Sequence, residues 1–200
     1  MSKTRPILLR AIFIVFVAAI PAGWISWKYH PQAILPPRFA VVEPAAIFRS
    51  GQPSPAQLRH LIDNYGLRTL LIVREDTGDN VKHEIDFARN HGLNVVVIPV
   101  ASRRPIPEAQ VEEFFRCTDD RRNHPLLIHC SAGRHRTGYL CARYRIDRQG
   151  WQPQRAVEEL LSFGFDAKDQ SVVLDQIKNY RPGGTATSVS RASSGAGVVP

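Results

Sequence analysis

The chain has 200 residues, 44% hydrophobic and 22% charged, a balance that excludes both a disordered polyelectrolyte and a many-span membrane protein and suffices for one core-forming domain. Its formal charge of +8 is unevenly spread. Residues 1–38 hold five basic side chains and no acid, and Arg181 and Arg191 follow Tyr180, which leaves 19 of the 26 basic residues to face all 18 acidic ones within 39–180. The folding part is nearly neutral, so nucleic acid is not an expected partner.

In chain order, residues 1–29 come first. They carry a 17-residue uncharged stretch, 11–27, behind Lys3, Arg5 and Arg10, with Trp24, Trp27 and Tyr29 at its far end. That is the lower limit of length for a membrane-spanning helix with interfacial aromatics. The expectation is an anchor with its amino terminus inside, or a cleaved signal peptide; either places the rest of the chain on the exported side. Residues 30–38, HPQAILPPR, are too rich in proline for regular helix and read as a stiff spacer.

The domain is expected over 39–180. Ser54-Pro55-Ala56-Gln57 is a capping box with proline at the first helical position, and it opens a helix that ends at Gly66. Thr69–Val73 reads as a buried strand, 81–90 as a helix stopping at His91-Gly92, and Val95–Ile98 as a second buried strand. Pro107 starts a third helix, Leu126–Ile128 is a short third strand, and helices follow over 137–149, 153–163 and 171–180. Apolar runs without alternation, separated by helices, predict a three-layer α/β domain with a central, mostly parallel sheet. The last segment, 181–200, has almost nothing to bury and reads as a disordered tail.

The third strand runs directly into HCSAGRHRTG, 129–138, and then into a helix. In a parallel sheet that turn lies at the carboxyl end of a strand, where ligands bind. Cys130 and Arg136 bracket five residues whose backbone N–H groups can converge on one tetrahedral anion, with Gly133 relieving the crowding and a helix amino terminus aimed inward. The same field favours a thiolate on Cys130, and Arg136 offers a two-pronged fork to phosphate oxygens.

This ten-residue run resembles the signature of the cysteine-dependent protein tyrosine and dual-specificity phosphatases, and its Gly-basic-His-Arg-Thr-Gly form is most similar to the atypical branch that includes bacterial members and plant and fungal inositol-pyrophosphate phosphatases. Weaker similarity runs through Phe48-Arg49-Ser50-Gly51-Gln52-Pro53, the Leu71–Arg74 strand end, Tyr144-Arg145 and Gly150-Trp151. The resemblance implies that Cys130 attacks phosphorus to give a phosphocysteine, that Arg136 clamps the oxygens, and that Thr137 assists hydrolysis of the intermediate. Ser131, Ala132, Gly133, Arg134, His135 and Arg136 would then bind the substrate phosphate, with no metal and no cofactor. The substrates implied are phosphorylated proteins or inositol phosphates.

One family element is missing. Those enzymes usually carry an aspartic acid one helix and one strand before the signature, and the corresponding stretch here, 98–108, has Arg103 and Arg104 but only Glu108 as a carboxylate. Asp76, on the preceding strand-to-helix loop, is the first-ranked alternative acid, with Glu108 behind it. An acid-poor site favours substrates with good leaving groups. It also leaves open a phosphate-binding module that captures a partner without turning it over. A rhodanese-like sulfurtransferase is disfavoured because sulfur transfer has no use for the Arg136 fork. Arg103, Arg104 and Arg134 form either a rim for a polyanion or a solvated surface, and His135 either touches substrate or braces the loop. His129 is read as a brace. Cys117 and Cys141 are read as small core residues, although a disulfide between them or to Cys130 is conceivable on the exported side.

Overall fold

The computed structural model describes residues 34–75 and 78–182. The segment read as an anchor, positions 30–33 of the spacer, Asp76 and the residues beyond Pro182 lie outside the described residues. Among those described, no helix is long and apolar enough to cross a membrane.

The chain begins with two short strands, β1 (Ala40–Glu43) and β2 (Ile47–Ser50). Then α1 (Pro55–Tyr65) and β3 (Thr69–Val73) are followed by α2 (Asp79–Asn90) and β4 (Asn94–Ile98), and α3 (Glu108–Asp119) leads through a 3-10 turn at Arg121–Asn123 to β5 (Leu126–His129). Three helices close the domain: α4 (Arg136–Asp147), α5 (Pro153–Ser162) and α6 (Ser171–Lys178). The sheet order is β1-β2-β5-β3-β4. Only β1 runs antiparallel, against β2; the pairs β2/β5, β5/β3 and β3/β4 are parallel. The sheet is therefore mixed at one edge and parallel through its centre, and the antiparallel β1–β2 hairpin was not among the expected elements.

The apolar runs of β3 and β5 are buried on both faces, and alternate residues divide them, whereas β4, expected to be buried, lies at the sheet edge with Val95, Val96 and Val97 only half-buried. Ile47, Leu71, Val73, Ile98, Leu126 and Ile128 face one core, packed with residues of α3, α4, α5 and α6 such as Phe114, Leu140, Leu160 and Leu174. Phe48, Leu70, Ile72 and Leu127 face a second core with Leu58 and Leu61 of α1 and Val81 and Ala88 of α2. The three layers follow from that division. Local signals end the elements where the sequence places them. Ser54 Oγ accepts from the Gln57 N–H while Gln57 Oε1 accepts from the Ser54 N–H, and Gly66 leaves α1 with φ +63°, a left-handed turn that a side chain would resist.

This arrangement fixes the site. The helices after β2 and β3 cover one face, whereas the helix after the central strand β5 covers the other. Connections leaving neighbouring strands in opposite directions open a crevice at their carboxyl ends, and β5 delivers residues 130–135 into it.

Candidate active site

Cys130 follows β5 directly and is 2% exposed. The peptide groups after it are pinned from behind, one carbonyl at a time. The ring Nδ1 of His129 lies 3.3 Å from the Cys130 carbonyl oxygen, the Gln52 N–H donates to Ser131 O at 3.0 Å, Arg38 Nη1 donates to Ala132 O at 3.1 Å, and Arg49 Nη2 donates to Gly133 O at 2.9 Å. In a planar trans peptide the N–H points opposite to the C=O. Holding four consecutive carbonyls outward therefore turns the N–H groups of residues 131–134 toward the inside of the loop, where one of them, Gly133 N–H, reaches Cys130 Sγ at 3.3 Å. Gly133 sits at φ +69°, and a Cβ there would collide with the backbone of Ser50 and Gly51, so the close packing of loop against β2 requires glycine.

The thiol feels opposing influences. Burial pushes the Cys130 pKa up, but the Thr137 hydroxyl and N–H, the Arg136 charge and the Gly133 N–H outweigh it and hold the thiol below its ordinary value. Thr137 Oγ1 is buried against the sulfur and has no other hydrogen-bond partner. Arg136, the first residue of α4, reaches back to Val100 O at 3.5 Å, across the mouth of the loop. For the other two cysteines burial wins, against the Arg49 and Arg145 charges in the case of Cys141, and raises both Cys117 and Cys141 to about 11; all three are free thiols. The conceivable disulfides are not formed.

His135 packs edge-on against Phe165 and accepts from the Asp166 N–H at 3.2 Å, and burial together with the Arg134 charge lowers its pKa. It braces the loop against the α5–α6 connection. Arg103 pairs with Asp169 at 2.9 Å on that connection. Glu108 opens α3 and is gripped by Arg143 at 2.7 and 2.8 Å. Those hydrogen bonds hold its carboxyl below the usual range in spite of partial burial, so it carries no proton at neutral pH. Asp76, the first-ranked acid, lies outside the described residues. Among the described residues no group of His, Cys, Asp and Glu is placed to hold a metal ion.

A family model described as a DSP-PTPase phosphatase fused to NAD+ kinase matches residues 38–176. The chain belongs to this dual-specificity phosphatase family of cysteine-dependent hydrolases. Within the family, it is 34% identical over 119 residues to the inositol diphosphatase DSP4 of Arabidopsis thaliana, covering 56% of this chain and 58% of the plant protein. It is 48% identical over 78 residues to the dual specificity protein phosphatase TpbA of Pseudomonas aeruginosa PAO1, covering 38% of this chain and 35% of that protein. The fold is that of the Siw14 catalytic core, with a TM-score of 0.64 at 24% identity over 74% of this chain and 87% of that one. The chain thus spans little more than half the length of the plant relative.

The sequence singled out Cys130, Arg136, Thr137 and the loop between them, and the structure brings these together. It missed Arg38, Arg49 and Gln52, which hold the loop from outside it, and Glu84, which contacts Gln52 and His129. For Glu84 a signal was present: it lies three residues after Val81 and four before Ala88, on the buried stripe of α2, where an ionisable side chain needs a partner.

Proposed function

We propose that the chain hydrolyses phosphoric monoesters and anhydrides through a phosphocysteine on Cys130. The observation that carries this reading is the loop itself: a thiol of lowered pKa sits beneath inward-facing N–H groups at the amino terminus of a helix, with Arg136 beside it. The thiolate attacks phosphorus, the bond to the leaving oxygen breaks, and Arg136 and the N–H groups hold the equatorial oxygens. Water then attacks the phosphocysteine, the S–P bond breaks with Thr137 receiving the returning thiolate, and inorganic phosphate leaves.

With Glu108 ionised and committed to Arg143, the leaving oxygen gets no proton from it. That supports substrates whose leaving groups are stable as anions, namely diphosphate groups on a polyanionic small molecule and aryl esters such as phosphotyrosine. The plant relatives, named as inositol diphosphatases, favour the former. The uncharged stretch at 11–27 behind three basic residues supports attachment to a membrane with the domain on the exported side.

Wild-type protein should hydrolyse p-nitrophenyl phosphate without added metal, be inhibited by vanadate, and carry phosphate on Cys130 after a brief pulse and denaturation, while Cys130→Ser should lose turnover by at least ~10³-fold. Phosphate binding by the wild type without turnover or trapping would instead identify a capture module. Relative rates on phosphotyrosine peptide, phosphoserine peptide and an inositol pyrophosphate then rank the substrates.

A further inference from the structure

His129 ends β5 and is 0% exposed, and Glu84 of α2 is 6% exposed. Glu84 Oε1 lies 3.2 Å from His129 Nε2, and neither atom has a second hydrogen-bond partner. The contact is close but poorly aligned. The other oxygen of Glu84 accepts from Gln52 Nε2 at 2.9 Å, and Gln52 Oε1 accepts from Arg74 Nη1 at 2.9 Å. The ring's remaining nitrogen, Nδ1, lies against the Cys130 carbonyl.

Proton counting decides the state of this chain of contacts. A carbonyl can only accept, so a hydrogen bond to Cys130 O requires the hydrogen on Nδ1. A neutral imidazole then has a bare lone pair at Nε2, and a carboxylate facing that lone pair would repel it. The contact is favourable only if Glu84 carries the hydrogen or the ring carries two. Burial raises Glu84 to about 7, against the Gln52 hydrogen bond and the Arg74 charge, and burial lowers His129 to about 4, with Arg74 lowering it further. Both groups are therefore neutral between about pH 4 and pH 7.

We propose that Glu84 is a positioning residue for the catalytic loop: as a neutral carboxylic acid it donates to His129 Nε2, which keeps the ring hydrogen on Nδ1 and the Cys130 carbonyl turned away from the phosphate. When Glu84 loses its proton, the ring hydrogen moves to Nε2 to meet the carboxylate. The Cys130 carbonyl then loses its donor, and the N–H of Ser131 is no longer aimed at the anion. Proton exchange with solvent has a route, because Glu84 lines a cavity of about 530 Å³ between α1 and α2 together with Gln52, Asn80, His83 and Phe87. The charged and titratable groups facing the pair are Arg74 from the end of β3 and His83 from α2 itself.

This rests on the phosphocysteine reading, and the sign follows from it. Activity rises on the acid side as Cys130 ionises and falls on the alkaline side as Glu84 ionises. On p-nitrophenyl phosphate, which needs no acid for its leaving group, wild-type kcat/KM should fall about tenfold between pH 6.5 and 8.5, the usual effect of losing one hydrogen bond to a charged group. Glu84→Gln keeps a donor toward Nε2 and an acceptor toward Gln52 at every pH, so its profile should be flat over that range. His129→Asn, whose amide can donate to the Cys130 carbonyl, should also be flat. An alkaline fall in Glu84→Gln equal to that of the wild type overturns the proposal, and so does a fall in folded His129→Asn, since the coupling then bypasses the ring. Melting curves establish that each variant is folded. Alkylation of Cys130 by iodoacetamide, followed over the same pH range, should show two inflections in the wild type and one in Glu84→Gln. It reads the loop without turnover, so an inert wild type would remove the phosphatase reading while a wild-type profile with one inflection would remove the role of Glu84.

Discussion

A phosphate-binding loop of this kind is usually described by the side chains inside it, yet here much of its shape is imposed by side chains outside it. Arg49 shows the logic most clearly. Its guanidinium is 1% exposed, donates one hydrogen bond to Gly133 O, stacks at 3.8 Å on the Phe163 ring, and leaves Nε and Nη1 without hydrogen-bond partners. A buried cation satisfied this poorly is a cost to stability that geometry at the loop offsets only in function. Arg49→Met keeps the length and the apolar stem while removing both the charge and the donor. It should leave the melting temperature unchanged or raise it, yet lower kcat/KM on p-nitrophenyl phosphate by roughly tenfold to a hundredfold, the effect of losing a hydrogen bond worth about 1.5–3 kcal/mol. A parallel loss of both would mean that Arg49 serves packing alone. At this scale the sequence was legible inside the loop, where Cys130, Gly133, Arg136 and Thr137 are adjacent in the chain. It was not legible for Arg38 and Arg49, because a side chain that hydrogen-bonds a distant carbonyl leaves no local pattern.

Among the elements, the helices and three of the four parallel strands were legible because each has its own signal. The capping box and proline start α1, Gly66 ends it, and unalternated runs such as TLLIV mark strands buried on both faces. The boundaries differ by a residue or two at frayed ends such as that of α4, which stops at Asp147. The β1–β2 hairpin was hidden for a physical reason: β2 is IFRS with all four residues buried, and a strand whose second half is arginine and serine shows neither alternation nor an apolar run. Its polar half is buried because the catalytic loop lies against it. Where the signal is local, the energy should be too. Ser54→Ala removes one side of the capping box and should cost about 1 kcal/mol, read as a lower urea midpoint at unchanged slope, with kcat and KM unaffected because none of the hydrogen bonds that brace the loop carbonyls comes from α1.

For the molecule as a whole, nearly all of the +8 charge lies outside the domain, so anion binding depends on one loop rather than on a basic surface. Inorganic phosphate should therefore stabilise the native state by mass action, with about 2.7 kcal/mol at a hundred times its Kd and a rise in Tm of roughly 9 °C. Arg136→Ala should abolish the rise, and a rise that survives the substitution would place the anion elsewhere. The carbonyl braces also span the chain: Arg38 and Arg49 act on residues 94 and 84 positions downstream. Contacts of such sequence separation close late in folding, because their loop entropy must be overcome before they contribute. A chain still emerging from the ribosome, or one locally unfolded at the hairpin, carries Cys130 as an ordinary thiol. The contacts that lower the Cys130 pKa exist only once the whole domain has closed around it, so whatever oxidative vulnerability follows from that lowering belongs to the finished enzyme.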